Sequence, residues 1–407
     1  MTDEATRGVT LLESGLTRRR FLAGTALAGF GAFLAACGGG ATPSPSKAPG
    51  ESAAPSDGGE VEITGPLNWA NWPAYIDLND DETASPTLEG FQDEYGIEVN
   101  YVEDIQTNED FFASVQPALS AGLDTGWDLI VLTDYMAARL VNLGWVDEID
   151  QANVPSAVAN VREALRGIAW DADFRYHYPY QSGATGVGYN AVSTGRDLTS
   201  IADVFDPAFK GKVTMLSGYQ DTFSLVGLLL KARGEISNDP PDMVDSDADK
   251  IFAFLKPYVD DGHIRAFTGN EYLQDFASGD TWVAFVWSGD LASSGGENDV
   301  FVYPDEGSII WTDNFQVPKG AQHKRAAEAM IDWCYQVPIA AQMANWIYYI
   351  SPVEGVQEEI VNLDPEAADN PLLFPPDDIV AKQWAQPDLT PEEDEYWNGL
   401  ALDLEGA

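Results

Sequence analysis

Basic side chains are scarce in this sequence: 21 Lys and Arg stand against 66 Asp and Glu in 407 residues, a formal charge of −45. A field of that sign repels phosphate backbones and anionic headgroups, so no nucleic-acid partner is expected. The surplus marks no site by itself, because most such carboxylates belong on a solvated surface. Histidine is scarcer still, with only His177, His263 and His323, and no HExxH or CxxC pattern occurs. No His- or Cys-ligated metal is therefore expected. Two cysteines, Cys37 and Cys334, cannot form a disulfide framework. No dinucleotide or P-loop glycine pattern follows a strand-like run, and no GxSxG elbow appears. No cofactor and no catalytic residue are read from these patterns. Carboxylates are too abundant for counting to dismiss a glycosidase.

The first sixty residues read as an address and a tether. Thr17-Arg18-Arg19-Arg20-Phe21-Leu22 is a twin-arginine-like motif ahead of a 16-residue apolar run, Phe21 to Ala36. That run is short for a membrane span of about 20 residues and suits a signal-peptide core. It ends in Leu34-Ala35-Ala36-Cys37, the small-small-Cys pattern of lipoprotein processing, with Cys37 as the acylated residue. Residues 1–36 are thus expected to be a signal peptide with a lipobox, and 37–60, rich in Gly, Ser, Pro and Ala, a flexible linker. The expected location is the outer face of the cell membrane or the periplasm, held by lipid. Whether export follows the twin-arginine or the general route stays open.

Beyond the linker, strand-like and helix-like runs alternate. Trp127 to Leu132, Lys212 to Leu216 and Trp282 to Trp287 are near-continuous apolar runs of strand length. Phe223–Ala232, Asp249–Val259 and Lys324–Tyr335 carry helical periodicity. Such alternation predicts an α/β fold with its site at the carboxyl ends of strands. Aromatic residues with a nearby carboxylate recur at those ends. The instances are Trp72 and Tyr75 after the first strand, Thr133-Asp134-Tyr135, Trp287 before Asp290, and Trp311 before Asp313. An aromatic face attracts an ammonium and a carboxylate bonds it, so the set points to a cation with apolar spacers. For any one aromatic, the core is the commoner destination.

Asn71-Trp72-Pro73-Ala74-Tyr75, Trp127 to Val131 with Thr133-Asp134-Tyr135, Pro179 to Asn190, Phe209 to Lys212, Trp287-Ser288-Gly289 and Gly307 to Asp313 occur in an order and spacing that resemble the spermidine/putrescine-binding proteins of ABC importers. The resemblance runs from about Leu67 to Trp397. It implies a two-lobed periplasmic-binding-protein (type II) fold with the ligand cleft between the lobes. Lobe one would comprise 61–189 plus about 313–350, and lobe two 190–312 plus about 351–407. It implies no enzyme, a polyamine ligand (putrescine or spermidine), and ABC permease subunits as partners. Carried over by position, Trp72, Tyr75, Tyr135, Trp287, Trp311 and Tyr349 box the ligand, Asp313 holds an amine, and Thr133 adds a hydroxyl. Asp221 offers a contact from the second lobe, although a helix cap is an equal reading for it. The chain departs from the pattern at Gly218, where a second acid is usual. Asp134 and Asp290 are candidates to replace that acid, and Gln383 and Gln386 are alternatives for a cleft glutamine. The competing expectation is a ferric-ion or other small-solute binder of the same fold, because Tyr348 and Tyr349 are adjacent.

Overall fold

A computed structural model describes residues 62–406 except 366 and 388; the signal peptide, Cys37 and the linker read from the sequence lie outside them. Ten strands form one mixed sheet: β1 (Leu67–Asn71), β2 (Val99–Glu103), β3 (Leu129–Thr133), β4 (Tyr178–Asn190), β5 (Val213–Leu216), β6 (Ile264–Thr268), β7 (Val283–Trp287), β8 (Asp299–Val302), β9 (Ser308–Gln316) and β10 (Gln383–Trp384). Their order is β2-β1-β3-β9-β4-β7-β5-β6, with β8 beside β4 and β10 beside β9. β1, β2 and β3 run parallel at one end, and β5, β6 and β7 at the other. β4 and β9 lie antiparallel between the two groups.

The two groups serve two cores. Trp69, Leu129, Val131, Tyr180 and Phe315 belong to the first, and Val213, Phe223, Val283, Phe285 and Trp397 to the second. The inner parallel strands β3 and β7 are buried along almost their whole length, which is why LIVLT and VAFVW read as continuous apolar runs rather than alternating ones, whereas the edge strands β2 and β6 are partly exposed. The helices predicted from periodicity are present as Gln220–Ala232, Asp245–Asp260 and Lys324–Cys334.

Two long strands pass from one core to the other. On β4, Tyr178 and Tyr180 pack in the first core while Ala184, Val187 and Tyr189 pack in the second. On β9, Ile309 joins the second core and Trp311 the first. The crossings thus fall near Gly183 and residue 310, inside the strands, where the sequence reading placed them near 189 and 313. A larger difference follows residue 350. Val353, Val356, Ile360, Ala367 and Ala368 pack in the first core, not the second. The cause is the helix Val356–Leu363, whose buried face, Val356 and Ile360, lies against the helix Val337–Ile347. The chain reaches the second core at Leu372 and, through the helix Pro391–Glu405, at Trp397, Ala401 and Leu404.

Phe315 stands between Trp69 and Tyr180, with ring centroids 5.7 and 4.6 Å away and no exposed surface. Phe315→Ala should therefore cost about 3–5 kcal/mol through lost burial and the cavity left behind. Urea titration followed by tryptophan fluorescence checks this, and a loss below about 1 kcal/mol would contradict the packing.

Candidate functional site

The carboxyl ends of β1, β3, β5, β6 and β7 all meet one cavity of about 60 Å3 between the two cores. All nine residues singled out in the sequence line it: Trp72, Tyr75, Thr133, Tyr135, Asp221, Trp287, Trp311, Asp313 and Tyr349. Two of them arrive differently from the sequence reading. Trp311 and Asp313 do not follow a strand end but lie in the middle of β9, which continues to Gln316. No helix begins at Asn314, so Asp313 is not a cap.

Local chemistry fixes the aromatic walls. The Trp72 indole N–H donates to the Val131 carbonyl at 3.1 Å, which pins the ring against β3. Trp311 donates to Thr185 Oγ1 at 3.0 Å. Tyr349 reaches the cavity because Tyr348 ends the preceding helix in the left-handed region, at φ +59°, and turns the chain inward. Gly289 makes room for that ring: a Cβ there would sit 2.4 Å from it. Trp72 and Trp311 meet Trp287 edge-on, with centroids at 6.0 and 6.4 Å.

Four carboxylates line the same space: Glu109, Asp221, Asp290 and Asp313. Each accepts from neutral donors. Asp313 takes the Thr133 hydroxyl at 2.7 Å, and Thr133 is itself held by the Asn108 amide at 2.9 Å. Asp221 accepts from Thr185 (2.8 Å), Trp287 Nε1 (2.9 Å) and Gln386 (3.1 Å). Asp290 accepts from Tyr272 (2.6 Å), Asn270 (2.7 Å) and Tyr349 (2.7 Å). Glu109 accepts from Tyr135 (2.9 Å) and Gln220 (3.0 Å). No Lys, Arg or His is among the lining residues.

Burial without a counter-cation raises these acids. It pushes the Asp313 carboxyl up to about 7; the Thr133 and Tyr75 hydroxyls oppose the rise, and the charges of Asp134 and Asp221 add to it. Burial also raises Asp221, Asp290 and Glu109 above the usual carboxylate range. Two further buried polar atoms on lining residues have no hydrogen-bond partner: Thr268 Oγ1 and Asn270 Oδ1. The lining thus offers carboxylates, aromatic faces and unpaired polar atoms.

The open alternatives separate. Gln386 lines the cavity and reaches Asp221, whereas Gln383 pairs along β9. Asp290 lines the cavity, whereas Asp134 bonds Asn314 outside it. Asp221 sits in the first turn of its helix, yet its carboxylate faces inward to Thr185, Trp287 and Gln386. Tyr348 does not share the lining with Tyr349, so the adjacent tyrosines do not converge. The sequence reading missed Glu109, Gln220, Thr268 and Asn270. Applying the strand-end rule to β2 and β6 points to two of them: Glu109 opens the helix that follows β2, and Asn270 lies in the loop after β6.

A cleft at the strand ends between two cores joined by crossing strands is the construction of a two-lobed solute-binding protein. The model of the bacterial extracellular solute-binding protein family matches residues 87–375, and the chain belongs to that family. It is 25% identical over 312 residues, 76% of this chain and 83% of the relative, to the spermidine/putrescine-binding periplasmic protein of Escherichia coli (strain K12). It is 27% identical over 337 residues, 78% and 85% of the two chains, to the putrescine-binding periplasmic protein PotF of the same organism. Among solved structures it is similar to the PotD lipoprotein of Treponema pallidum, with TM-score 0.68 and 20% identity over 84% of this chain and 99% of that one. At that identity the likeness is one of fold, the two-lobed α/β architecture expected from the sequence.

A raised carboxyl has a definite sign in stability. Between its ordinary value of 3.8 and about 7, folded Asp313 keeps a proton that the unfolded chain releases, so its contribution falls as pH rises through that window. Asp313→Asn should stabilise the unliganded protein relative to the parent by an amount that grows to about 3–4 kcal/mol by pH 7 and is level above it. Urea titrations of both proteins from pH 4 to 8 measure the difference; one independent of pH would refute the assignment.

Proposed function

We propose that this chain is the capture component of an ABC importer for a linear polyamine, putrescine or spermidine, and is not an enzyme. The observation that carries the reading is the cavity with four carboxylates, aromatic walls and no basic lining residue. Such a lining lacks positive charge, and a flexible cation with methylene spacers supplies it. Each ammonium gains charge-assisted hydrogen bonds worth about 1.5–3 kcal/mol. Stacking near Trp72, Trp287 and Trp311 adds about 0.5–2 kcal/mol per cation–π contact. The names of the Escherichia coli relatives support the same ligand class.

Capture works by closure. Asp313 and Tyr75 come from the first lobe, and Asp221, Trp287 and Asp290 from the second. A ligand bonded to both lobes binds the closed form better and shifts the hinge equilibrium toward it. The loops already approach closely in this state: a Cβ on Gly269 would stand 2.7 Å from the Gln106 carbonyl oxygen across the cleft. The closed face is then the surface that a membrane permease reads. The Leu34 to Cys37 lipobox supports a lipid anchor that holds the protein beside that permease.

Calorimetric titration with putrescine, spermidine and spermine, with ferric citrate and arginine as controls, tests this function. Submicromolar binding of a polyamine is expected, and Asp313→Ala should weaken it at least tenfold. Affinity should also fall below about pH 7, because Asp313 must release its proton before it pairs with an ammonium. Binding of ferric citrate or arginine with no polyamine response would discard the ligand.

A further inference from the structure

The resemblance places a second acid in the second lobe, at the position of Gly218, and the local geometry gives a reason for its loss. Gly218 has φ +82°, a conformation unfavourable to side chains, and a Cβ on it would stand 2.7 Å from Gln220 Oε1. Its N–H donates to Glu405 Oε1 at 2.8 Å, which fixes the loop against the C-terminal helix. The second lobe therefore presents Asp221 and Asp290 but nothing from residue 218.

A carboxylate that no sequence pattern flagged lies at the rim instead. Glu109 is in the first turn of the helix Asn108–Ser120, where an acid is ordinarily explained by the positive helix end. That explanation accounts for neither its place in the cavity lining nor its bond across the cleft to Gln220. Asp313, Asp290 and Asp221 are 4, 5 and 8% exposed, whereas Glu109 is only partly buried. Glu109 thus marks the mouth, and the other three mark the interior. Tyr135, whose hydroxyl bonds Glu109, adds an aromatic wall beside it.

We propose that Glu109 accepts the distal ammonium of a polyamine longer than a diamine, so that ligand length is read by a carboxylate of the first lobe at the cleft mouth. The inference rests on the polyamine reading above. A short diamine satisfies its amines among Asp313, Asp290 and Asp221. A triamine continues past the tryptophans and places its last charge beside Glu109 and Tyr135. The Gln220 amide already bonded to Glu109 then ties that subsite to closure of the lobes.

Two variants separate charge from closure. Glu109→Gln keeps the shape and an acceptor for Tyr135 and Gln220 but removes the charge. Gln220→Ala removes the cross-cleft bond and keeps the charge. Calorimetry on the parent and both variants should show spermidine affinity falling about tenfold in Glu109→Gln while putrescine changes less than about threefold. Gln220→Ala should weaken both ligands by a common factor. If Glu109→Gln weakens both equally, or neither, Glu109 is a closure contact or a helix-end charge and the proposal is overturned. If the folded parent binds neither polyamine, the polyamine reading fails and this proposal falls with it.

Discussion

Buried carboxylates without a basic partner in one cleft are the constraint on which the rest of this structure depends. A buried carboxylate is costly unless hydrogen-bonded, and far more so when like charges share its surroundings. The chain meets the first condition with neutral donors: Thr133, Thr185, Trp287, Tyr272 and Tyr349 occupy lone pairs of Asp313, Asp221 and Asp290. It leaves the second unmet. Among the described residues, several of the scarce basic side chains pair elsewhere, as Arg196 does with Asp203 and Asp206, Arg265 with Asp275 and Asp280, and Lys231 with Asp239. A lysine in the cleft would make the empty protein more stable and remove the reason for a cation to enter.

Holding those donors in place is the work of the surrounding aromatic packing. The rings meet mostly edge-on: Tyr75 against Tyr349 and Tyr180, Trp72 against Trp287, and Trp287 against Trp311. Edge-to-face contacts stabilise the cluster by about 0.5–1.5 kcal/mol each beyond burial and set the ring orientations. Close approach depends on missing side chains. A Cβ on Gly183 would lie 2.6 Å from the Trp311 ring and 2.7 Å from Tyr349, on the strand that passes between the lobes. The crossing of β4 and the seating of two wall residues are therefore one local requirement.

Much of this was legible in the sequence, and the parts that were not have a physical cause. Continuous apolar runs announced β3, β5 and β7, because strands buried on both faces carry no alternation to obscure them. Aromatic-acid pairs at strand ends announced the walls. Asp313 was found for an incomplete reason, since WTDNFQ is polar enough to read as a loop while it runs as strand between β3 and β4. Its burial follows from tertiary pairing that no window of sequence contains. Glu109 hid for the opposite reason: an acid beside Thr107 and Asn108 fits a helix start, and only the approach of Gln220 from the other lobe shows its second neighbour. The packing of 353–368 in the first core was hidden too, since an amphipathic helix declares that it has a buried face but not which core receives it.

The same carboxylates that would attract a cation would also oppose closure without one. Asp313 and Glu109 come from the first lobe, and Asp221 and Asp290 from the second, so drawing the lobes together brings like charges into a medium of falling dielectric. The direct contacts that resist this repulsion are modest. Gln220 to Glu109 and Tyr349 to Asp290 are hydrogen bonds between a neutral donor and a carboxylate. Arg139 to Asp394 is a largely exposed pair at 3.5 Å, worth about 0–1 kcal/mol. Proton uptake by acids such as Asp313 relieves part of the repulsion in the empty cleft. A cation bound between the lobes would relieve it from both sides at once, and occupancy of the cleft would then become a change in the shape presented to a partner.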